Sequence, residues 1–277
     1  MEPAMNRPVR IGVQLQPQHA DYRVIREQLG EAEEMGVDVA FNWDHFFPLY
    51  GEPDGKHYEC WTMLGAWAEQ TSRIEIGALV TCNAYRNPDL LADMARTVDN
   101  ISAGRLILGI GSGWFERDFD EYGYEFGTPG SRLDDLRDAL PRMQDRFARL
   151  NPPPARQIPV LIGGGGERKT LRMVAERAHI WHTFSQGAEL VHKIGVLRGH
   201  CDTVGRDIGE IELSVGVGGR GREGRRPDSP EVEGRPLYDL GARLFTMGLG
   251  GPDYDLSLVE PWLRWRDELN AGLQPSQ

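Results

Sequence analysis

Eight short apolar runs, each followed by a longer segment, constrain this chain more than any other feature. They cover residues 9–15, 37–43, 74–80, 105–110, 158–163, 179–183, 211–217 and 243–248. Several are apolar almost throughout, as strands of a parallel sheet covered on both faces are. Helical periodicity fills many of the gaps. Asp21 precedes Val24, Ile25, Leu29, Ala32 and Met35 at helical spacing, and Gly36 ends that run. Pro88 opens a second helix with Leu91, Met94, Ala95 and Val98 on one face. Helices are also expected over 132–150, 168–178 and 255–270. Strand–helix alternation means right-handed parallel crossovers. Eight such units in 277 residues match an α/β (β/α)8 TIM barrel, whose usual size is about 250 residues. The alternative is an open doubly wound sheet. Residues of functional type end at least four runs here, whereas an open sheet gathers them at one switch point. A single barrel domain over 1–277 is therefore expected.

Composition narrows the partners. A formal net charge of -11 argues against nucleic acid. No apolar run is long enough for a membrane span, and the first eight residues lack the apolar core of a signal peptide. Cys60, Cys82 and Cys201 form no C-x-x-C pair, which points to a reducing cytoplasm and no structural zinc. G-x-S-x-G, H-E-x-x-H and metal-ligand spacings are missing, so hydrolase and metalloenzyme readings have little support and no metal is expected.

In a barrel of this kind the active site forms where strands end. The second run ends in Trp43, Asp44, His45, Phe46 and Phe47, a carboxylate and an imidazole wrapped in aromatics. Histidine can donate, accept or carry charge near neutral pH. The pair reads either as polar contacts to a ring-shaped ligand or as a helix cap beside a half-buried histidine. The third run ends in Leu79, Val80 and Thr81, with Arg86 following. Arg86 reads as a solvated side chain at a helix start, or else as an anion contact. The fourth ends in Gly109, Gly111, Ser112 and Gly113, then Trp114. This G-x-G-x-G admits close backbone approach, but it is not the dinucleotide fingerprint. A tight turn with a packing tryptophan is the other reading. The fifth ends in Gly163, Gly164, Gly165 and Gly166, with Arg168 and Lys169 as ready counter-charges. Exposed N–H groups there suit an anionic ligand, and each glycine costs roughly 0.5–1 kcal/mol against alanine, more than a bare turn needs. His19 after the first run, and Trp181 and His182 ending the sixth, read first as packing.

Taken together, the stretches WDHFF, LVTCNAYRNP, GRLILGIGSGWFERDFDEYG and VLIGGGGERKTL resemble the luciferase-like monooxygenase superfamily. Within it they are most similar to the coenzyme F420-dependent oxidoreductases. The resemblance spans residues 9–183 and returns weakly at 243–270. It implies a barrel holding a flavin or deazaflavin at the strand C-termini. It implies that Asp44 and His45 meet the deazaflavin ring, with His45 catalytic, either stabilising charge or moving a proton. It implies a non-proline cis peptide at Leu79–Val80 behind the ring, with Thr81 beside it. Gly111, Ser112 and Gly113 would follow the ring and ribityl chain, and Gly163 to Gly166 the phosphate-bearing tail. His19, Trp43, Phe46, Trp114 and Trp181 are left to line the substrate side. Trp114 stands where the family's sugar-phosphate dehydrogenases carry a glutamate proton donor, which argues against glucose 6-phosphate as substrate. The expected activity is hydride transfer between coenzyme F420 and a small organic substrate. Alternatives are an FMN-dependent monooxygenase using reduced flavin and O2, and a cofactor-binding barrel without turnover. Homodimers are common in the family. Residues 218–236, rich in Gly, Arg and Pro, read as a mobile loop. In it Arg220, Arg222, Arg225 and Arg226 either clamp the polyanionic F420 tail or belong to a solvated linker.

Overall fold

The computed structural model describes residues 7–218 and 227–273. Its strands are β1 (Arg10–Leu15), β2 (Val39–Asn42), β3 (Glu75–Ala78), β4 (Thr81–Cys82), β5 (Leu106–Gly111), β6 (Val160–Gly163), β7 (Ile180–Thr183), β8 (Glu212–Val217) and β9 (Ala242–Leu249). All pair in parallel, in the order β3-β2-β1-β9-β8-β7-β6-β5-β4, and a further β3–β5 pairing closes the ring. Strands β3 and β4 share one position. Ile76 pairs with Leu106, the chain breaks step at the cis Leu79–Val80 bond, and Thr81 resumes opposite Ile110. The ring therefore has eight strand positions, one for each apolar run, and the closed TIM barrel is the architecture.

The helices are α1 (Tyr22–Met35), α2 (Cys60–Gln70), α3 (Pro88–Ile101), α4 (Glu116–Tyr122), α5 (Pro129–Phe147), α6 (Thr170–Arg177), α7 (Gly187–Val204), α8 (Arg235–Asp239) and α9 (Glu260–Ala271). Gly36 ends α1 as its position predicts, at φ 86° with its N–H on the Ala32 and Glu33 carbonyls. Asp21 stands at the other end but does not cap, because its carboxylate pairs with Lys56. Periodicity does not reveal α2, α4 or α7. Helix α2 buries Trp61, Met63, Leu64, Trp67 and Ala68, too wide an apolar arc to read as one stripe. Helix α7 is interrupted in pattern by Gly195 and Gly199. The described part of the stretch 218–236, from residue 227 on, is also more regular than its composition predicts. Residues 230–234 form a π turn leading into α8, and the Glu233 carboxylate accepts from the N–H groups of Gly218 and Asp228. Arg220, Arg222, Arg225 and Arg226 lie outside the described residues. No helix among the described residues is long and apolar enough to cross a membrane.

Alternation along each strand sorts the core into two layers. Val39, Phe41, Leu79, Ile107, Leu161, Ile180 and Leu244 pack together inside the ring. Ile11, Val13, Ile76, Ile110 and Phe245 point out to the helices. The floor of the ring is ionic. Arg10 donates Nε and Nη2 to Glu212 (3.1 and 2.6 Å) and pairs with Glu75 through Nη1. Glu75 also accepts from Arg156 Nη2 at 2.6 Å. The β3–β5 seam is the tightest place in the sheet. A Cβ on Gly77 would lie 2.5 Å from the Ile107 carbonyl oxygen, and one on Gly109 would lie 1.9 Å from that of Ala78.

Gly109→Ala should therefore destabilise the barrel by about 3 kcal/mol or more, since backbone cannot yield as a side chain does. Gly65→Ala, inside α2 with nothing within 4 Å of the new carbon, should instead stabilise by roughly 0.5–1 kcal/mol. Urea denaturation of the two variants measures both; equal effects would contradict the seam argument.

Candidate active site

Asp44 and His45 follow β2, yet their side chains meet different partners. The Asp44 carboxylate is fully buried. It accepts Arg86 Nη1 at 2.6 Å and Nη2 at 3.0 Å, and the Cys82 N–H at 3.0 Å. Burial pushes its pKa up, while Arg86 pulls it down. Burial likewise opposes the Arg86 charge, but its neighbours, Asp44 first and then Cys60 and Glu59, together raise that pKa. A forked guanidinium–carboxylate pair is the ionic state that satisfies both groups. Arg86 is thus neither solvated nor free for an anion. Its second partner is Glu59, which caps α2 by accepting from the Trp61 and Thr62 N–H groups at 3.2 and 2.6 Å. Asp44, Arg86 and Glu59 tie the ends of β2 and β4 to the start of α2.

His45 turns the other way. Its Nδ1 lies 2.7 Å from Asp118 Oδ2, and the Phe46 N–H donates to Oδ1 at 3.0 Å. The Tyr85 hydroxyl donates to Oδ2 at 2.9 Å. Burial pushes the Tyr85 pKa far up, so that hydroxyl keeps its proton. A carboxylate is acceptor-only, so Nδ1 presents a hydrogen to it, and in the neutral ring Nε2 is the acceptor. Nε2 makes no hydrogen bond to any described residue. The rings of Trp114 and Phe115 stand edge-on to the imidazole at 5.7 and 5.5 Å. Trp114 is 62% exposed, a free flat surface at the mouth.

Sequence reading misses Asp118 and Tyr85. Their signal was present in α4, where Asp118 sits three residues after Phe115 and one before buried Phe119, a carboxylate on an apolar helix face.

The other expected pocket residues disperse. Trp43 is buried and donates Nε1–H to His57 Nε2 at 3.0 Å. Phe46 stacks on Tyr122 at 3.9 Å in an aromatic cluster with Tyr85. His19 (φ 59°) bonds the Tyr50 carbonyl at 2.7 Å and fills the space beside Gly51 and Gly55, an anchor for that loop. Trp181 faces outward into the helical layer, and its Nε1–H donates to the Gly164 carbonyl at 2.7 Å, so it does not line the mouth.

The strand-end glycines have local occupants. Carbons added at Gly111 and Gly163 would meet Val80 at 2.8 and 3.0 Å, and one at Gly113 would meet Cys82 Sγ at 2.5 Å. The side chain of Ser112 is half-buried between them. Gly165 faces Lys193, which donates to its carbonyl at 2.7 Å, and Gly166 faces Thr170. Gly164 takes φ 122° and donates to the His182 carbonyl. Lys169 is not a free counter-charge, being bound to Asp134 and the Gly130 carbonyl at 2.7 and 3.1 Å. Lys193, unremarked in the sequence, also reaches this loop, where Glu189 pairs with it at 3.3 Å, and Arg168 is exposed. Gln14 Nε2 holds the Leu79 carbonyl at 2.7 Å.

A polar atom without a partner marks the inner face. His182 follows inward Ile180 by two residues and so points inward too. Its Nδ1 meets Ser214 Oγ at 2.8 Å, and its buried Nε2 has no partner among the described residues. Thr81 Oγ1 is buried and unpaired too, but Thr81 pairs with outward-pointing Ile110 and so faces the helical layer, not the ring interior as expected. The inward His182 Nε2 fits a heterocycle that brings its own donors. No cluster of His, Cys, Asp or Glu among the described residues could hold a metal ion.

Residues 1–218 match the model of a family described as luciferase-like monooxygenase. Over 175 residues the chain is 29% identical to an uncharacterized protein of Mycobacterium bovis, covering 56% of this chain and 61% of that one. Over 177 residues it is 28% identical to the F420-dependent glucose-6-phosphate dehydrogenase of Amycolatopsis mediterranei, covering 57% and 52% respectively. The chain thus spans only about half to three-fifths of the length of these relatives. Among solved structures, an F420-dependent secondary alcohol dehydrogenase in complex with an F420-acetone adduct superposes with a TM-score of 0.78. That match covers 97% of this chain and 100% of the other at 16% identity, a likeness of fold.

Two histidines here should set the acid limit of stability. Burial lowers the pKa of His182 from 6.5 to about 4, and burial aided by His45 does the same for His57. Between those values the unfolded chain binds protons that the folded chain refuses. Stability is therefore whole above about pH 6.5 and falls as pH drops toward 4. His182→Gln should flatten that fall by up to one proton, read from urea denaturation across the window. An unchanged slope would place the titration elsewhere.

Proposed function

The chain belongs to the luciferase-like monooxygenase family, and we propose that it is a coenzyme F420-dependent oxidoreductase acting on a small organic substrate. The observation that carries this reading is the buried line Tyr85–Asp118–His45, which ends at an unbonded Nε2 where the strands finish. A curated relative named as F420-dependent supports the choice of cofactor.

When bound, the deazaflavin supplies the hydride chemistry. The chain supplies position and proton handling. His182 Nε2 is suited to a polar edge of the ring. The loop of Gly163 to Gly166, with exposed backbone and Lys193 beside it, is suited to the phosphate-bearing tail. Asp118 holds the imidazole so that Nε2 accepts a proton from a substrate alcohol, or returns one to a reduced carbonyl. The imidazolium formed stays paired with Asp118. Asp44 acts behind this layer, fixing β2 to β4 through Arg86. Trp114 offers substrate an apolar face and no acidic group, and the acid hydrogen-bonded to the imidazole is Asp118.

Titration with F420 and with FMN, followed by fluorescence quenching, tests the cofactor. Tighter binding of F420 is expected, and binding of FMN alone would sink the proposal. In a turnover assay with F420, His45→Ala should lose about 10²-fold or more in kcat, with F420 affinity changed far less. Asp118→Asn should lose activity too and shift the pH profile, because an amide no longer stabilises the imidazolium. A wild-type profile in Asp118→Asn would remove it from this role.

A further inference from the structure

The end of the barrel opposite His45 holds a cavity of about 80 Å³, opening where β8 and β9 begin. Leu197, Ile208 and Leu240 give it apolar walls, and Arg7, Arg198 and Arg243 bring three guanidinium groups to it. Arg243 is the informative one. Leu213 and Ser214 of β8 pair with Ala242 and Leu244, so Arg243 is an extra residue bulged from the ladder. Bulges re-aim side chains. This one directs to the cavity a guanidinium that is only 5% exposed. The group stacks on Tyr238 at 4.2 Å and donates Nη1 to the carbonyls of Tyr238 and Ala242 at 3.1 and 2.8 Å. Its Nε has no partner among the described residues. The carboxylates whose fields reach it are already engaged, Asp239 by Arg235 and Glu212 by Arg10 and Arg7.

A buried cation without a counter-charge is costly, and burial accordingly lowers its pKa. Nor does the floor supply compensation. Arg7, Arg10 and Arg156 already set three cations against two carboxylates, Glu75 and Glu212, before Arg198 and Arg243 are added. On a chain of net charge -11 this is a local positive excess facing a half-apolar hollow. We propose that the cavity binds a small amphipathic carboxylate. Its head meets the free edge of Arg243, with Arg198 and Arg7 adding attraction, and its carbon chain lies along Leu197, Ile208 and Leu240. An anionic head matches the guanidinium fork, and the apolar walls exclude a bare inorganic anion as the best fit. The volume suits roughly five to eight water-sized groups, the size of a six-carbon acid.

Isothermal titration of the full chain without cofactor tests this, using hexanoate, hexan-1-ol and inorganic phosphate as probes. Saturable binding of hexanoate is expected, with the alcohol and phosphate weaker by about tenfold or more. Arg243→Gln and Arg198→Gln should each weaken hexanoate by about tenfold, while Trp114→Ala at the far end leaves it unchanged. Arg198 is exposed, so its variant folds even if Arg243→Gln does not. Ile194 also lines the cavity, and Ile194→Trp, which fills it, should abolish binding. The proposal fails if hexanoate does not saturate. It fails if affinity survives both arginine changes, which would leave Arg243 a structural charge only. It fails if Trp114→Ala abolishes binding, because the acid would then sit at the strand ends. None of these readouts depends on F420.

Discussion

The contact between β3 and β5 is the constraint on which the rest of the molecule depends. Gly77 and Gly109 stand where any side chain would strike the opposing backbone at 2.5 Å or less. With both glycines present the two strands pair, the ring closes, and the sheet has no open edge at this position. Closure also sets the path of the chain beyond the seam. The chain leaves β3 at Ala78, turns Leu79 into the barrel, and returns to β5 at Thr81. That return carries the Cys82 N–H and then Arg86 to the Asp44 carboxylate. A looser seam would separate Asp44 from both.

Two buried acids then divide the work. Asp44 with Arg86 is a full ion pair in a dry place. Removing two charges from water offsets most of their attraction, so its contribution is positional more than energetic. Asp118 has no arginine or lysine partner among the described residues. It is held by three donors, from His45, Phe46 and Tyr85, and hydrogen bonds to a charged acceptor are the stronger kind. The first acid fixes backbone and the second fixes a ring. The imidazole consequently shows one nitrogen to the protein and leaves the other for chemistry. At the opposite end, Arg243 has neither arrangement, and this asymmetry of satisfied acids and an unsatisfied base separates the two ends of the barrel.

Much of this is legible in the residues themselves. Eight apolar runs mark eight strand positions, because a parallel strand buried on both faces must be apolar along its length. Gly36 ends α1 and Pro88 starts α3 for local backbone reasons. The cis bond falls at Leu79–Val80, where the family resemblance implies it. Asp44 and His45 stand at a strand end because the run before them can be counted. Local physics reaches that far, since each of these signals lies within a few residues of its effect.

Direction and partnership lie beyond it. Whether Trp181 faces the helices and His182 the barrel depends on register, and a slip of one residue exchanges them. Asp118 meets His45 across 73 positions of chain, and Arg86 meets Asp44 across 42. The glycines of β5 and the loop after β6 look in sequence like room for a ligand, yet Val80, Cys82, Lys193 and Thr170 occupy the space beside most of them. The sequence by itself determined the periodicities, hence the strands, their number and the residues at their ends. Only the closed barrel decided which acid pairs with arginine, which orients histidine, and which buried arginine meets carbonyls rather than a carboxylate. Those contacts join separate strands, and no local pattern encodes a neighbour brought in by ring closure.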